Sequence, residues 1–234
     1  MEIRRWLLQF LALLTMTTAL LLNPSASTSS SISTVDDLPT LLSFKSLITK
    51  DPLGALSSWT INSSSNGSHG FCSWTGVKCS RTHLGSVMAP RLQGLSLSGT
   101  VSPFLGNLSR LRVLDLSNNK LEGTIPSDIG KLSNLKALSL SQNRCHGEIP
   151  SSIGNISQLS LLTLSANNLE GSIPATFGNL TELISLDLSL NLLSGQIPEV
   201  LNPSKRNEFW CESTRDLRGD LREEFTIQRT GATS

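Results

Sequence analysis

Residues 111–126 read LRVLDLSNNKLEGTIP, and the pattern in this stretch returns three more times at a spacing of 24 residues. The later copies occupy residues 135–150, 159–174 and 183–198. Each copy keeps leucine at its first, fourth and sixth positions, asparagine at its ninth, glycine at its thirteenth and Ile-Pro at its end. A fixed period held over four copies predicts a stack of equivalent units, because one unit of this size cannot bury its apolar face alone.

A weaker copy lies one period upstream and starts at Val87. It has Pro90 where the other copies have a strand leucine, and Leu95 where they have asparagine. Because proline has no amide hydrogen to donate to a neighbouring strand, we expect this copy at the end of the stack. Five repeats are therefore predicted over residues 85–201.

The Leu-x-Leu core of each repeat alternates apolar and polar positions, as a strand with one buried face does. We expect short parallel strands along the concave side of the stack, centred near residues 90–92, 114–116, 138–140, 162–164 and 186–188. The asparagine interrupts the apolar register, and a buried amide must find hydrogen-bond partners in the backbone of the turns. The sequence thus predicts an asparagine ladder formed by Asn119, Asn143, Asn167 and Asn191.

Side chains that point outward from these strands would form the concave surface, which is the default place for a partner. Aromatic residues and arginine usually anchor tight interfaces. The outward side chains include no Trp, Tyr or Phe and only one arginine, so we expect modest affinity for a partner. The candidate partner surface consists of Arg91, Gln93, Val113, Asp115, Ser117, Asn118, Ser139, Gln142, Leu161, Thr163, Ser185, Asp187 and Leu190.

The amino terminus predicts secretion. Arg4 and Arg5 precede an apolar run from Trp6 to Leu22, and small residues follow at 25–27, so residues 1–27 are interpreted as a signal peptide. An uncleaved signal anchor is the alternative, because the run approaches the length that spans a bilayer. We expect no membrane span in the mature chain. Secretion would permit glycosylation at the sequons of Asn62, Asn66, Asn107, Asn155 and Asn179.

Residues 35–84 precede the repeats and lack their pattern. The segment Asp36–Lys50, DDLPTLLSFKSLITK, is typical of an amphipathic helix that Asp51 and Pro52 would end. The sequence CSWTGVKC follows at residues 72–79. Together with the repeats, this segment resembles the plant-specific class of leucine-rich-repeat proteins. The resemblance implies an α/β repeat fold: a right-handed curved solenoid with a helical, disulfide-bonded N-terminal cap.

The resemblance also concerns particular relatives and particular cysteines. The run from Leu92 to Pro126 is similar to the ectodomains of large plant receptor kinases, in the subgroup that senses microbial peptides and confers bacterial-blight resistance in grasses. In this family the two cysteines of the cap motif are paired, which implies a disulfide between Cys72 and Cys79. The gap between them also fails to match zinc-site spacing. Cys145 takes a leucine position of its repeat and is expected to be a buried free thiol.

Residues 202–234 leave the repeat register, carry six Lys/Arg and six Asp/Glu, and contain the single cysteine Cys211. We expect a polar tail that is largely disordered, or at most a loose helical stretch near residues 216–225. Two interpretations of the whole chain stay open. It is either a functional short protein or a non-functional truncated fragment of a receptor kinase, without the kinase.

Composition and motifs favour binding over catalysis. The formal net charge of +1 gives no reason to expect nucleic acid or an anionic membrane as partner. His69, His83 and His146 have no nucleophile or carboxylate at a telling spacing, and no cofactor or metal site is predicted. The chain is interpreted as a non-enzymatic recognition protein of the apoplast, or one held at the plasma membrane by a partner. It would bind a peptide or a receptor kinase in plant defence or development; the alternative is an inhibitor of microbial cell-wall-degrading enzymes.

Overall fold

The computed structural model describes residues 37–61, 70–83 and 85–201, together with residues 216–217. The predicted signal peptide, the sequons at Asn62 and Asn66, His69 and Cys211 lie outside these ranges. The described residues therefore contain most of the predicted cap and all five predicted repeats.

The cap begins with helix α1, Leu38–Ser46, which buries its apolar face against the first repeat. The predicted helix was too long at its C-terminal end, because Ile48–Lys50 forms strand β1. The β-branched residues Ile48 and Thr49 favour extended backbone. This strand pairs antiparallel with β2, Ser98–Thr100, and covers one edge of a sheet that the sequence analysis did not predict.

Aromatic rings form the core of the cap. Trp59 stacks on Trp74 with 5.4 Å between the ring centroids, and Phe71 meets Trp74 edge-on at 6.1 Å. The indole Nε1 of Trp59 donates a hydrogen bond to the carbonyl oxygen of Thr75 at 2.9 Å. The disulfide between Cys72 and Cys79 is confirmed, with 5.5 Å between the two Cα atoms. Ring packing and the disulfide stabilise the cap, and the Arg91 amide joins it to the first repeat by donating to the carbonyl oxygen of Gly76 at 2.8 Å.

The predicted concave sheet contains four parallel strands of three residues each. They are β3 (Val113–Asp115), β5 (Ala137–Ser139), β7 (Leu161–Thr163) and β9 (Ser185–Asp187), in that spatial order. Each strand buries its central leucine between two half-buried neighbours, and residues one period apart are paired, such as Leu114 with Leu138. The strands begin one residue earlier than the predicted windows, but the inward leucines are those that the pattern indicated.

The first predicted strand, near 90–92, is reduced to a single parallel bridge between Arg91 and Asp115. The carbonyl oxygen of Pro90 accepts a hydrogen bond from the Asp115 amide at 3.3 Å. Proline has no amide to donate in return, so a regular ladder cannot extend through this residue.

A second sheet follows the concave one in every repeat and was missed by the sequence analysis. Besides β1 and β2 it contains β4 (Lys120–Gly123), β6 (Arg144–Glu148), β8 (Asn168–Gly171) and β10 (Leu192–Gly195), and its last strand is β11 (Asp216–Leu217). Strands β4, β6, β8 and β10 come from the Asn-x-Leu-x-Gly part of the repeat, and the leucine or cysteine of this motif is buried. Repeats two to five therefore each contribute a strand to both sheets, and the first repeat contributes β2 to the second sheet only.

Short 3-10 helices connect the second sheet to the next concave strand, at Pro103–Asn107, Ser127–Lys131, Ser151–Asn155, Ala175–Asn179 and Glu199–Leu201. They pack closely on one another through glycine. A Cβ atom on Gly154 would lie 2.4 Å from the carbonyl oxygen of Thr176 in the next repeat. Glycine at this position thus sets the spacing between successive repeats on this side.

Strand β11 brings part of the tail onto the stack. Asp216 pairs with Ser194 and Leu217 with Gly195, in parallel with β10. For these two residues, strand replaces the helical stretch that was predicted near 216–225. The offset of 22 residues between paired positions equals that between Leu192 and Glu170 one repeat earlier. The tail therefore returns to the register of the second sheet at this point.

Candidate functional site

The concave sheet presents a flat array of small side chains. Equivalent positions in successive repeats lie side by side at about 4.8 Å, the spacing of neighbouring strands. Of the predicted partner residues, Arg91, Gln93, Asn118, Gln142 and Leu190 are exposed, whereas Val113, Asp115, Ser139, Leu161, Thr163, Ser185 and Asp187 are half-buried. Ser117 is 8 % exposed, so its side chain contributes little to the accessible surface.

Two aspartates of this surface are tied to their own turns. The Oδ1 atom of Asp115 accepts hydrogen bonds from the amide and the hydroxyl of Ser117, at 3.1 and 2.6 Å. Asp187 binds Ser189 in the same way, at 3.1 and 2.7 Å. Sequence reasoning missed this role, although the recurring Asp-x-Ser is a short-range turn signal. One carboxylate oxygen of each aspartate is thus occupied inside the repeat.

The middle of the surface is uncharged and internally bonded. The Thr163 hydroxyl donates to Ser139 Oγ at 2.9 Å, and the Ser165 hydroxyl donates to Ser141 Oγ at 3.2 Å. These bonds cross from one repeat to the next and restrict the hydroxyl groups. Leu161 lies beside them and is the apolar group of the central strands that a partner could cover.

A row of left-handed residues forms one rim of the concave sheet. Asn118, Gln142, Ala166 and Leu190 have φ values of 54°, 55°, 52° and 53°. This backbone conformation turns the chain from the concave sheet toward the second sheet, and it is unfavourable for a residue such as leucine. Leu190 is also 72 % exposed, so it presents an apolar side chain at the rim.

Asn167 illustrates the bonding of the asparagine ladder. Its Nδ2 atom donates to the carbonyl oxygens of Leu140 at 2.9 Å and Leu164 at 3.0 Å, and its Oδ1 accepts from the amide of Cys145 at 2.9 Å. The asparagine therefore links its own repeat to the preceding one. Equivalent bonds are made by Asn119, Asn143 and Asn191.

Cys145 fills a leucine position in the second sheet and is a fully buried free thiol. Burial raises the pKa of this thiol from 9.0 to about 11, against a smaller opposing effect of a backbone hydrogen bond. A thiol of this kind is poorly nucleophilic at neutral pH, because the thiolate is the reactive form.

The three described sequon asparagines lie away from the concave strands. Asn107, Asn155 and Asn179 are exposed, and each is the last residue of a 3-10 helix. They occupy the same position in their repeats, so glycans on them would form a row along this side and would leave the concave strands uncovered.

The described part of the chain has neither a metal-binding cluster nor a membrane-spanning helix. It contains no cluster of three or more His, Cys, Asp or Glu that could hold a metal ion. None of its helices combines the length and apolar character needed to cross a bilayer.

Comparison with known proteins matches both parts of this architecture. A family model for a leucine-rich repeat region matches residues 87–200, and one for a leucine rich repeat N-terminal domain matches residues 35–80. Receptor kinase-like protein Xa21 of Oryza sativa subsp. japonica is 48% identical over 82 residues, which are 34% of this chain and 8% of Xa21. The chain therefore spans only a small part of the length of the curated relatives it matches.

Two crystal structures from Arabidopsis thaliana resemble the fold more completely. In the BIR3–SERK2 complex, the matching chain has a TM-score of 0.65 and 40% identity, over 71% of this chain and 87% of that chain. In the complex of the Arabidopsis receptor kinase HAESA with the peptide hormone IDA and the co-receptor SERK1, the matching chain has a TM-score of 0.62 and 37% identity, over 71% of this chain and 27% of that chain. The matched cap, the matched repeats and these neighbours agree, and the chain belongs to the plant leucine-rich-repeat proteins of the receptor-kinase ectodomain type.

Proposed function

We propose that this chain is an extracellular recognition protein that binds a peptide or a receptor partner through its concave sheet, in plant defence or development signalling. The described residues that could bind a partner form a surface of strands, not a catalytic pocket. The recognition would therefore depend on side chains that the repeats hold at fixed spacing.

The arrangement of the concave sheet is the observation that supports this proposal. Its strand backbones already bond to one another, so the outward side chains remain for a partner. From the bridge at Arg91 to β9, five neighbouring backbone segments lie side by side along the concave sheet. Four gaps of about 4.8 Å give about 19 Å of length. An extended peptide of about six residues spans this distance.

Two similar proteins support a partner of this class. HAESA was crystallised with a peptide hormone and a co-receptor, and the BIR3–SERK2 structure is a complex of two proteins. The position of the exposed sequons on the 3-10 helices agrees with a partner on the concave sheet, because glycans there would not obstruct it.

The test is a pull-down from plant apoplastic fluid with the glycosylated chain, followed by mass spectrometry. Leu161→Arg places bulk and charge in the middle of the concave sheet. Asn168→Arg is its matched control, since it adds the same side chain to an exposed position of the second sheet in the same repeat. We expect a receptor-kinase ectodomain with the unmodified chain and with Asn168→Arg, and at least about tenfold less with Leu161→Arg.

The other outcomes are equally clear. Recovery of a polygalacturonase would favour an enzyme inhibitor over a receptor partner. Equal recovery by both arginine variants would move the binding surface away from the concave sheet. If neither class of protein is recovered, the interpretation as a non-functional fragment is favoured.

A further inference from the structure

A basic cavity lies beside the concave sheet, where the cap meets the second repeat. It has a volume of about 420 Å³ and is lined by four cationic side chains, Lys78, Arg81, Arg110 and Arg112. The remaining lining residues are neutral polar or apolar groups and His83. No aspartate or glutamate of the described residues lines the cavity.

The cavity is a product of the cap. The Met88 amide donates to the carbonyl oxygen of Lys78 at 2.8 Å, and an antiparallel bridge joins Cys79 to Val87. In turn, the Arg112 amide donates to the carbonyl oxygen of Met88 at 2.8 Å. This chain of backbone bonds brings the cap segment that carries the disulfide next to the start of β3. The cations of the cap and of the second repeat thus share one cavity although they are distant in sequence.

These cations are not neutralised within the described structure. The ion pair found there joins Lys131 to Asp128 on a 3-10 helix, and neither residue lines the cavity. The chain as a whole has a formal net charge of only +1, so four cations in one cavity are a strong local excess. Arginine guanidinium groups bind carboxylates through two parallel hydrogen bonds, which favours anionic groups of this geometry.

Along the two rows of equivalent positions that begin at Arg110 and Arg112, the positive charge is concentrated near the cap. One period after Arg110 the equivalent residues are Asn134, Gln158 and Glu182, and after Arg112 they are Lys136, Ser160 and Ile184. Both rows therefore start cationic and end acidic or apolar. A long polyanion lying along the stack would meet Glu182 and Asp187, whereas a ligand with a short acidic segment would not.

We propose that this cavity binds the carboxylate side chains of a short acidic segment of the peptide ligand, whose remaining residues lie on the concave sheet. The proposal deepens the proposed function and rests on it for the position of the rest of the peptide. The charge gradient would orient the ligand, with its acidic segment at the cap and its neutral or apolar residues toward Leu161 and Leu190.

The experiment measures binding of a fluorescently labelled hexaglutamate peptide to the full chain. The cavity variant is Arg110→Gln/Arg112→Gln. Its matched control is Lys120→Gln/Arg144→Gln, which removes the same charge from exposed positions on the second sheet. We expect the cavity variant to bind at least about tenfold more weakly, because charge-assisted hydrogen bonds are lost. The control variant should bind hexaglutamate as the unmodified chain does. Added salt should weaken the binding of hexaglutamate to both of these proteins.

Three results would overturn the proposal. Equal losses in the two double variants would mean that hexaglutamate responds to net charge and not to the cavity. No measurable binding of hexaglutamate to the unmodified chain would exclude an acidic-peptide site. Binding of an oligogalacturonide that depends on Arg110 and Arg112, without binding of hexaglutamate, would assign the cavity to an acidic polysaccharide.

Leu161→Arg keeps this test independent of the proposed function. If hexaglutamate binds this variant as it binds the unmodified chain, the anionic site stands even when the pull-down recovers no receptor partner. If the pull-down recovers a receptor partner and the cavity variant binds hexaglutamate as tightly as the unmodified chain, only the acidic-segment proposal fails.

Discussion

At the scale of single residues, Asn167 replaces side-chain packing with hydrogen bonds between two repeats. Substitution Asn167→Ala would leave the buried Cys145 amide without its acceptor and would remove one donor from each of two carbonyl oxygens. Unsatisfied buried polar groups are costly, so we expect the free energy of unfolding to fall by about 2 to 4 kcal/mol. Urea denaturation followed by circular dichroism measures this change.

Asn168→Ala is the matched control, because the neighbouring asparagine is exposed at the start of β8. A shift below about 0.5 kcal/mol is expected for it. Equal effects of the two substitutions would contradict the special role of the ladder position.

Leu190 combines a left-handed backbone with an exposed apolar side chain. Asparagine adopts this backbone more readily, and Asn118 occupies the equivalent position in the second repeat. We therefore expect Leu190→Asn to stabilise the protein by about 0.5 to 1 kcal/mol. Leu192→Asn tests the alternative explanation, since Leu192 is 64 % exposed but lies in strand β10. A similar gain in stability from both substitutions would show that the replacement of an exposed leucine, and not the left-handed backbone, causes the effect.

The Cys145 thiol has a raised pKa because it is buried, and we therefore expect it to react slowly with alkylating reagents. With a pKa of about 11, only about one thiol in a thousand is ionised at pH 8. In a Cys211→Ser background, alkylation of the native protein should be at least about a hundredfold slower than in urea. The raised pKa contributes stability below pH 9 that is lost as the pH rises toward 11. Equal alkylation rates in the native and unfolded protein would show that the thiol is accessible.

At the scale of elements, the concave strands could be predicted because one physical signal specifies them. The spacing of Leu114 and Leu116 alternates burial along an extended chain, and the 24-residue period repeats this signal. The helix boundary was wrong because Leu47 and Ile48 continue the apolar pattern of α1, while the pairing of β1 with β2 decides the backbone conformation.

The second sheet could not be read from the same signal. Its strands contain a glycine with positive φ, as at Gly123 and Gly171, and such a glycine indicates a turn in a sequence taken alone.

The basic cavity was missed for another reason. Lys78 and Arg112 are far apart in the sequence, and backbone bonds such as those of Met88 bring their segments together.

The contacts between 3-10 helices lead to a prediction about repeat spacing. Gly154→Ala would place a Cβ atom 2.4 Å from the carbonyl oxygen and 2.7 Å from the carbonyl carbon of Thr176. Because these atoms belong to the backbone, the clash cannot be relieved by a rotamer change, and we expect a loss of about 1 to 3 kcal/mol. Thermal unfolding checks it. Ser151→Ala, at an exposed position of the same helix, should unfold like the unmodified chain; an equal loss would refute the packing argument.

At the scale of the whole molecule, the two ends of the stack are closed in different ways. At the N-terminal end, β1 covers β2, and α1 packs on the first repeat. At the other end, the two described residues of the tail, Asp216 and Leu217, form β11 and pair with β10. Leu192 is exposed near this end, and Ile197 is exposed beside it. Among the described residues, the last repeat is thus covered by less structure than the first, and a repeat held on one side opens more easily than one held on both.

This asymmetry predicts how protection from hydrogen exchange is distributed. We expect amides of β9 to exchange faster than those of β5, and removal of residues 202–234 to increase the difference and to promote self-association. Leu217→Pro should reproduce part of the effect, because proline is poorly tolerated within a sheet. Ala232→Pro is the control, since it introduces proline into the tail away from the paired residues in sequence. Equal protection of β9 and β5 in a monodisperse monomer, with or without the tail, would show that the last repeat is stable by itself and that β11 has no capping role.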